Sequence, residues 1–267
     1  MPARGEKYFF INSLAKGIRV LELLAEKQAL TVSEVARHLE LNRAGSHRFL
    51  ATLRELGYVD KDEDGRYHLT FRVLELGMTV ANRFEIHRIV RPYLQELSLA
   101  FNETVNPGHF DGGDILHLDK IDSKEILRMD SPIGSRAPAY CTALGKAVLA
   151  FLPEEEFEKF LKQVRCKAFG PNTITSRRGL RAEIQKVRRR GYAVDDEEMA
   201  SGLRCVAAPV FDHTGGCRYA ISVSGPSFRL TPERIETIQP RLRDICRRIS
   251  GKLGSTAPCV ADGPITH

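Results

Sequence analysis

Apolar residues recur at helical spacing near the start of the chain. Leu14, Ile18, Leu21 and Ala25 alternate with Lys16, Arg19, Glu22 and Glu26, which predicts an amphipathic first helix. Thr31-Val-Ser-Glu34 then forms a capping box: the Thr31 hydroxyl is placed to accept from the Glu34 backbone while Glu34 reaches back, with Leu30 stapled against Val35. A short second helix over 32–39 follows from it. After Glu40 and Leu41, Asn42 caps a third helix whose inner side carries Ser46, Phe49, Leu50, Leu53 and Leu56, and Gly57 ends it. Arg43, His47, Arg48 and Arg54 are left outside that core. Two short helices joined by so brief a link match a helix-turn-helix, whose second helix enters the major groove by its N-terminal end, where Arg43 and His47 stand. The period then shortens to two on either side of Asp64-Gly65, a hairpin signal in the place of a wing. Arg66 and His68 are candidates for phosphate or the minor groove, whereas Asp60, Asp62, Glu63 and Asp64 would hold the hairpin tip away from a phosphate backbone. A three-helix protein-interaction module fits the same pattern.

Helical spacing resumes over Val73, Leu76, Val80, Phe84 and Ile89 as a linker helix, and Pro92 is expected in the first turn of a new helix through Leu94, Leu97 and Phe101. Strands are expected from Asp114-Ile-Leu-His-Leu-Asp-Lys-Ile, after the turn Asp111-Gly-Gly, and from Glu125-Ile-Leu-Arg-Met. Helices follow over 142–151, 153–164 and 180–190, then strands over 206–211 and 219–224 around Thr214-Gly-Gly. Thr231-Pro-Glu opens a last helix carrying Ile235, Ile238, Leu242, Ile245 and Ile249. Strands mixed with helices and hairpin-length turns describe an α+β domain on an antiparallel sheet. The expected organisation is a winged helix-turn-helix over 10–72, a helical linker over 73–91, a larger domain over 92–253 and a flexible tail over 254–267.

Charge sharpens this picture only locally. The 267 residues carry a net charge of +6, yet the first 80 hold twelve Lys and Arg against eleven Asp and Glu. The basic cluster is confined to Arg37, Arg43, Arg48 and Arg54 with His38 and His47. A denser run, 177–190, is followed at once by Asp195, Asp196, Glu197 and Glu198 and reads as a solvated helix face. Six cysteines form no CxxC and no zinc-ligand spacing with histidine, so a reduced chain without metal or cofactor is expected. The apolar run from Tyr8 to Ile11 is too short for a signal peptide, and no stretch reaches the ~18 residues that span a bilayer. The expected location is the cytoplasm.

Candidate chemistry lies in the larger domain. In Ala220-Ile-Ser-Val-Ser the strand period turns Ser222 and Ser224 to one face, and the loop Asp195-Asp-Glu-Glu-Met-Ala-Ser-Gly-Leu-Arg-Cys205 is placed to close over it. A solvent-facing sheet edge beside an acidic loop has the same pattern. No periodicity sets a base beside Cys205, so a thiol nucleophile is not supported. Leu144-Gly-Lys-Ala lacks the first glycine and the Ser/Thr of a phosphate loop, and neither GxGxxG nor HExxH occurs, so no catalytic residue is assigned.

Seven stretches in order resemble the IclR family of transcriptional regulators: Ser13-Leu-Ala-Lys-Gly-Ile-Arg-Val-Leu, His47-Arg-Phe-Leu-Ala-Thr-Leu-Arg-Glu-Leu-Gly-Tyr, Gly134-Ser-Arg-Ala-Pro, Thr142-Ala-Leu-Gly-Lys-Ala, Gly191-Tyr-Ala-Val-Asp-Asp-Glu-Glu, Gly202-Leu-Arg-Cys-Val-Ala-Ala-Pro and Ile221-Ser-Val-Ser-Gly-Pro. The resemblance implies a winged helix plus a GAF-like effector domain, a homodimer or tetramer on a palindromic double-stranded operator, and control of a catabolic operon by a small organic acid. It places an effector pocket on Asp195, Cys205, Ser222 and Ser224, with Ile126, Met129, Ala137, Ala143, Leu144 and Leu203 as its apolar side. Ala143 and Leu144 stand where relatives often carry smaller residues, which leaves ligand size open. Leu118-Asp-Lys-Ile-Asp-Ser-Lys is similar to regulators of sugar-acid breakdown and points to a 2-oxo or sugar-derived acid. The DNA-contacting set is expected to be Ser33, Asn42, Arg43, Ser46, His47, Arg48, Arg54 and Arg66. Relatives commonly read Pro-Lys-Ser-Thr-Val-His-Arg where this chain has Asn42-Arg-Ala-Gly-Ser-His-Arg48, so two hydroxyls are lost and Gly45 enters the helix. A GAF-like sensor or enzyme that binds no DNA is the competing reading.

Overall fold

The computed structural model describes residues 10–83 and 86–255 and divides the chain into two compact units, one ending at Phe84 and the other beginning at Glu85. Phe84 of the linker pattern and nearly all of the expected 254–267 tail lie outside the described residues.

The smaller unit runs α1 (Asn12–Lys27), β1 (Ala29–Leu30), α2 (Val32–His38), α3 (Arg43–Glu55), β2 (Val59–Lys61), β3 (Tyr67–Leu69) and α4 (Phe71–Arg83). The Thr31 hydroxyl accepts the Glu34 N–H at 3.3 Å and the Glu34 carboxylate accepts the Thr31 N–H at 2.8 Å, so the capping box starts α2 as its sequence requires. The Asn42 carboxamide oxygen accepts the Gly45 N–H at 2.6 Å and caps α3. The hairpin turns where expected, with Gly65 at φ +79°, and β3 lies between β1 and β2 in a three-stranded antiparallel sheet. The core is formed by Val20, Leu24, Leu30, Val35, Leu50, Leu53, Val59 and Tyr67. Two expectations change. Leu56 is exposed rather than core, because α3 has already ended in a turn toward the hairpin. Leu14 and Ile18 also face solvent, while Val20 and Leu24 carry the buried face of α1.

The larger unit runs α5 (Ile86–Phe101), β4 (Thr104–Asp111), β5 (Asp114–His117), β6 (Arg136–Pro138), α6 (Ala143–Leu149), α7 (Glu154–Gln163), α8 (Arg177–Arg190), β7 (Ala193–Asp196), β8 (Leu203–Phe211), β9 (Cys217–Pro226) and α9 (Pro232–Lys252). The sheet is antiparallel in the order β6-β5-β4-β9-β8-β7. On one face α6 packs on β8 and β9 and is backed by α8, while α5 and α9 cover the other.

Pro92 lies inside α5 rather than opening a helix. Val90, Leu94 and Leu97 are buried on both sides of it, so packing outweighs the one backbone bond that proline removes. Residues Glu125 to Met129 form no strand. Both long edges of β4 are already taken by β5 and β9, and the segment's carbonyls are held by side chains instead: Arg128 on Glu125, Arg229 on Leu127 and the Thr104 hydroxyl on Met129. Conversely β4 contains Asn106-Pro107-Gly108, a turn signature. Proline is tolerated because its missing N–H faces β5 just beyond the last pair, Gly108 with His117.

Candidate nucleic-acid interface and ligand cavity

Helix α3 separates its residues cleanly. Ser46, Leu50 and Leu53 point inward, and the Ser46 hydroxyl donates to the Asn42 carbonyl at 3.2 Å, so Ser46 is a core residue and not a DNA contact. Asn42, Arg43, His47 and Arg48 are exposed in the first turns, and Ser33 is exposed on α2. The sequence-assigned basic residues then divide by what they already hold. Arg66 reaches across to α2, bonding the Glu34 carboxylate at 3.3 Å and the Ala29 carbonyl at 3.3 Å. Its guanidinium therefore ties the wing to the capping box. Arg54 pairs with Asp60 at 3.4 Å, both side chains exposed. Arg43, His47 and Arg48 have no hydrogen-bond or ion-pair partner for their side chains among the described residues. They leave a compact set of uncommitted donors at the N-terminal end of the helix.

In the larger unit, a cavity of about 190 Å³ lies between the sheet face under α6 and the segment that precedes β6. That is smaller than the ~300–1,000 Å³ of drug-sized sites and suits a small metabolite. Met129, Ala137, Ala143, Leu144, Asp195, Leu203, Cys205, Ser222 and Ser224 all line it. Ile126 does not: it is 99% exposed, because residues 125–129 run as an open loop. The lining also includes His117, Thr142, Met199 and Arg136, which sequence reasoning missed. For His117 a signal existed, since it follows Ile115 by two in a strand. Arg136 opens a three-residue strand and Thr142 follows the 3₁₀ turn Ala139–Cys141, neither of which periodicity reveals.

Register explains the polar side of this cavity. Cys205 pairs with Ser224 and with Asp195 on its two neighbours, and Ala207 pairs with Ser222, so these side chains leave the sheet together. The Ser224 hydroxyl donates to that of Ser222 at 3.3 Å. Asp195 accepts the backbone N–H groups of Glu198 at 2.8 Å and Met199 at 3.3 Å, which folds the turn after β7 over the cavity. Burial pushes the Asp195 carboxyl up to about 6 against those hydrogen bonds. Burial likewise raises the Cys205 thiol, keeping it protonated and unsuited to nucleophilic work. Behind Asp195, the ammonium of Lys146 donates to the Glu198 carboxylate and to the Val194 carbonyl, fixing the same turn from α6. Lys146 is almost fully buried and Glu198 nearly so, and burial raises the Glu198 carboxyl.

A broader depression of about 1040 Å³ beside α7 contains none of the sequence-assigned residues, and its Arg218 and Glu156 are already paired at 2.6 Å. Among the described residues no cluster of His, Cys, Asp and Glu is arranged to hold a metal ion, and no helix is long and apolar enough to cross a membrane.

Family models match both units: residues 13–63 match the IclR helix-turn-helix domain and residues 78–251 the bacterial transcriptional regulator IclR C-terminal domain. The chain is 35% identical to the HTH-type transcriptional regulator KdgR of Escherichia coli K12 over 245 residues, 91% of this chain and 93% of KdgR. It is 32% identical to the HTH-type transcriptional regulator KipR of Bacillus subtilis, covering 92% of this chain and 98% of KipR. The crystal structure of Thermotoga maritima IclR superposes with a TM-score of 0.80 at 35% identity, over 92% of this chain and all of that one. These relatives are regulators rather than enzymes. The helix-turn-helix unit, the antiparallel α+β unit and these matches together place the chain in the IclR family of helix-turn-helix transcriptional regulators.

Proposed function

We propose that this regulator holds a palindromic double-stranded operator as a homodimer or tetramer, that Arg43, His47 and Arg48 are its principal DNA contacts, and that a small organic acid in the 190 Å³ cavity changes its grip on that site. The observation that carries the DNA assignment is the uncommitted state of those three side chains beside the committed Arg54 and Arg66. Ser33 and Asn42 flank them and supply neutral contacts to the backbone or bases. Oligomerisation is supported by the apolar stripe of Ile11, just before α1, with Leu14 and Ile18 on it, which stays exposed, as does Phe71 at the start of α4. A two-fold axis through such a stripe would set two recognition helices for a palindrome.

The cavity supports a ligand of few carbons with hydroxyl or carbonyl groups, which fits the 2-oxo or sugar-derived acid of a catabolic operon. Asp195 disfavours a carboxylate against it, so it is assigned to a hydroxyl or hydrated carbonyl. The test is a titration of the gene's own upstream DNA with and without a panel of 2-oxo, sugar and aromatic acids. One of them is expected to change affinity by about 5- to 150-fold, a coupling of ~1–3 kcal/mol. Asp195→Asn is expected to remove most of that response. An undiminished response in the variant contradicts the assignment of Asp195, and no response to any acid contradicts the effector reading.

A further inference from the structure

The cavity has a polar side that the serines and Asp195 do not account for. Asn106 stands opposite Ser222 in the β4–β9 ladder, so its side chain leaves the sheet on the same face as the Ser222 hydroxyl. It is 0% exposed, and neither its amide nitrogen nor its amide oxygen has a hydrogen-bond partner. Two residues further along β4, Gly108 pairs with His117 of β5, which lines the cavity, is 7% exposed and has an unpartnered Nδ1. Three orphaned polar atoms thus lie on the sheet face under α6 at its β4–β5 side, with His117 in the cavity wall and Asn106 beside the wall residue Ser222, away from Asp195 and Cys205 at the β7–β8 side. A buried amide left without a partner is costly, so a fold keeps one where something else satisfies it.

We infer that Asn106 and His117 form a second polar subsite, and that the ligand carries an uncharged hydroxyl or carbonyl group at the end remote from Asp195. This rests on the proposal that the cavity binds a small acid. An amide presents both donors and an acceptor, and a neutral imidazole presents one of each, so a hydroxyl matches the pair while a second carboxylate does not. Burial lowers the His117 imidazole below its ordinary range, which keeps it neutral at physiological pH. The two side chains therefore select for the far end of the ligand, and the serine side for the near end.

The test uses the full chain and matched acids that differ by one terminal hydroxyl: 2-oxobutyrate against 4-hydroxy-2-oxobutyrate, and 2-oxovalerate against 5-hydroxy-2-oxovalerate, each titrated by calorimetry. For at least one pair the hydroxylated acid is expected to bind about 10- to 100-fold tighter. Asn106→Val and His117→Phe are expected to bring that ratio close to one, the ratio within each pair being the readout whatever either variant does to the affinity for both acids together. Neither variant is expected to lower the melting temperature of the free protein, because removing an orphaned polar group removes an unpaid desolvation cost. Equal affinities within both pairs in the wild type overturn the second subsite while leaving the small-acid reading intact. A ratio that survives in both variants, or a loss of melting temperature in both, overturns it as well. Failure of all four acids to bind at millimolar concentration counts instead against the small-acid reading, and the subsite falls with it.

Discussion

At the scale of single residues, what decides a side chain's role is what it already holds. Arg43, Arg48, Arg54 and Arg66 are equivalent in the sequence, yet two of them are spoken for by Asp60 and Glu34. Arg66→Ala is therefore expected to act on the fold, costing the smaller unit up to about 1 kcal/mol in a urea titration as befits a half-exposed ion pair. Ser46 shows the opposite limit: the helical period set it on the inner side with Leu50 and Leu53, the expected DNA-contacting set included it as well, and the structure keeps it in the core. Asp195 yields a pH prediction. Its carboxyl is raised to about 6, so between roughly pH 4 and pH 6 the native state holds a proton that the unfolded state releases, and wild-type stability falls as pH rises through that window. Asp195→Asn lacks this loss. Its stability relative to wild type is expected to improve by about 1–3 kcal/mol from pH 4 to pH 7 in denaturant titrations. A pH-independent difference would contradict the assigned cause.

Elements with caps were legible, and elements made only by their neighbours were not. The capping box of α2, the Asn42 cap of α3 and the Thr231 cap of α9 are local, so the sequence states them. Strand β4 hides behind Asn-Pro-Gly, and β6 and β7 are short segments whose extended state comes from pairing with β5 and β8. The stretch from Glu125 to Met129 erred the other way, an apolar run with no free strand to join. Helix α6 combines both cases. Thr142-Ala-Leu-Gly-Lys-Ala was recognisable as a motif, but its reason is packing: a Cβ at Gly145 would lie 2.1 Å from the Ala139 carbonyl oxygen, so the helix seats directly on the 3₁₀ turn before it. Lys146 then reaches Glu198 and ties α6 to the turn carrying Asp195. Lys146→Ala is expected to destabilise the larger unit by about 3–5 kcal/mol, since Glu198 is left buried without its counter-charge. Lys146→Met with Glu198→Leu should recover most of that loss in thermal unfolding. Equal losses in both variants would show that packing, not charge, carries the site.

On the scale of the whole molecule, the chain divides its work between a small unit with uncommitted cations and a larger one with a buried polar cavity. Sequence periodicity found Leu14 and Ile18 as part of an amphipathic helix; the structure leaves them exposed, as the proposed contact between two copies requires. Leu14→Glu with Ile18→Glu is expected to yield monomers by sedimentation velocity and to weaken operator binding. An unchanged oligomer would move the interface elsewhere. The small unit's near-neutral charge means that DNA affinity depends on few contacts, so it should be unusually sensitive to them. The most direct measurement is fluorescence anisotropy of the gene's own upstream DNA with wild type, Arg43→Ala with Arg48→Ala, and Arg54→Ala, each across a salt series. The double variant is expected to lose about 10- to 100-fold in affinity and to flatten the salt dependence by about one for each phosphate contact removed, while Arg54→Ala stays close to wild type. Unchanged affinity and salt slope in the double variant would contradict the DNA-binding assignment of this helix.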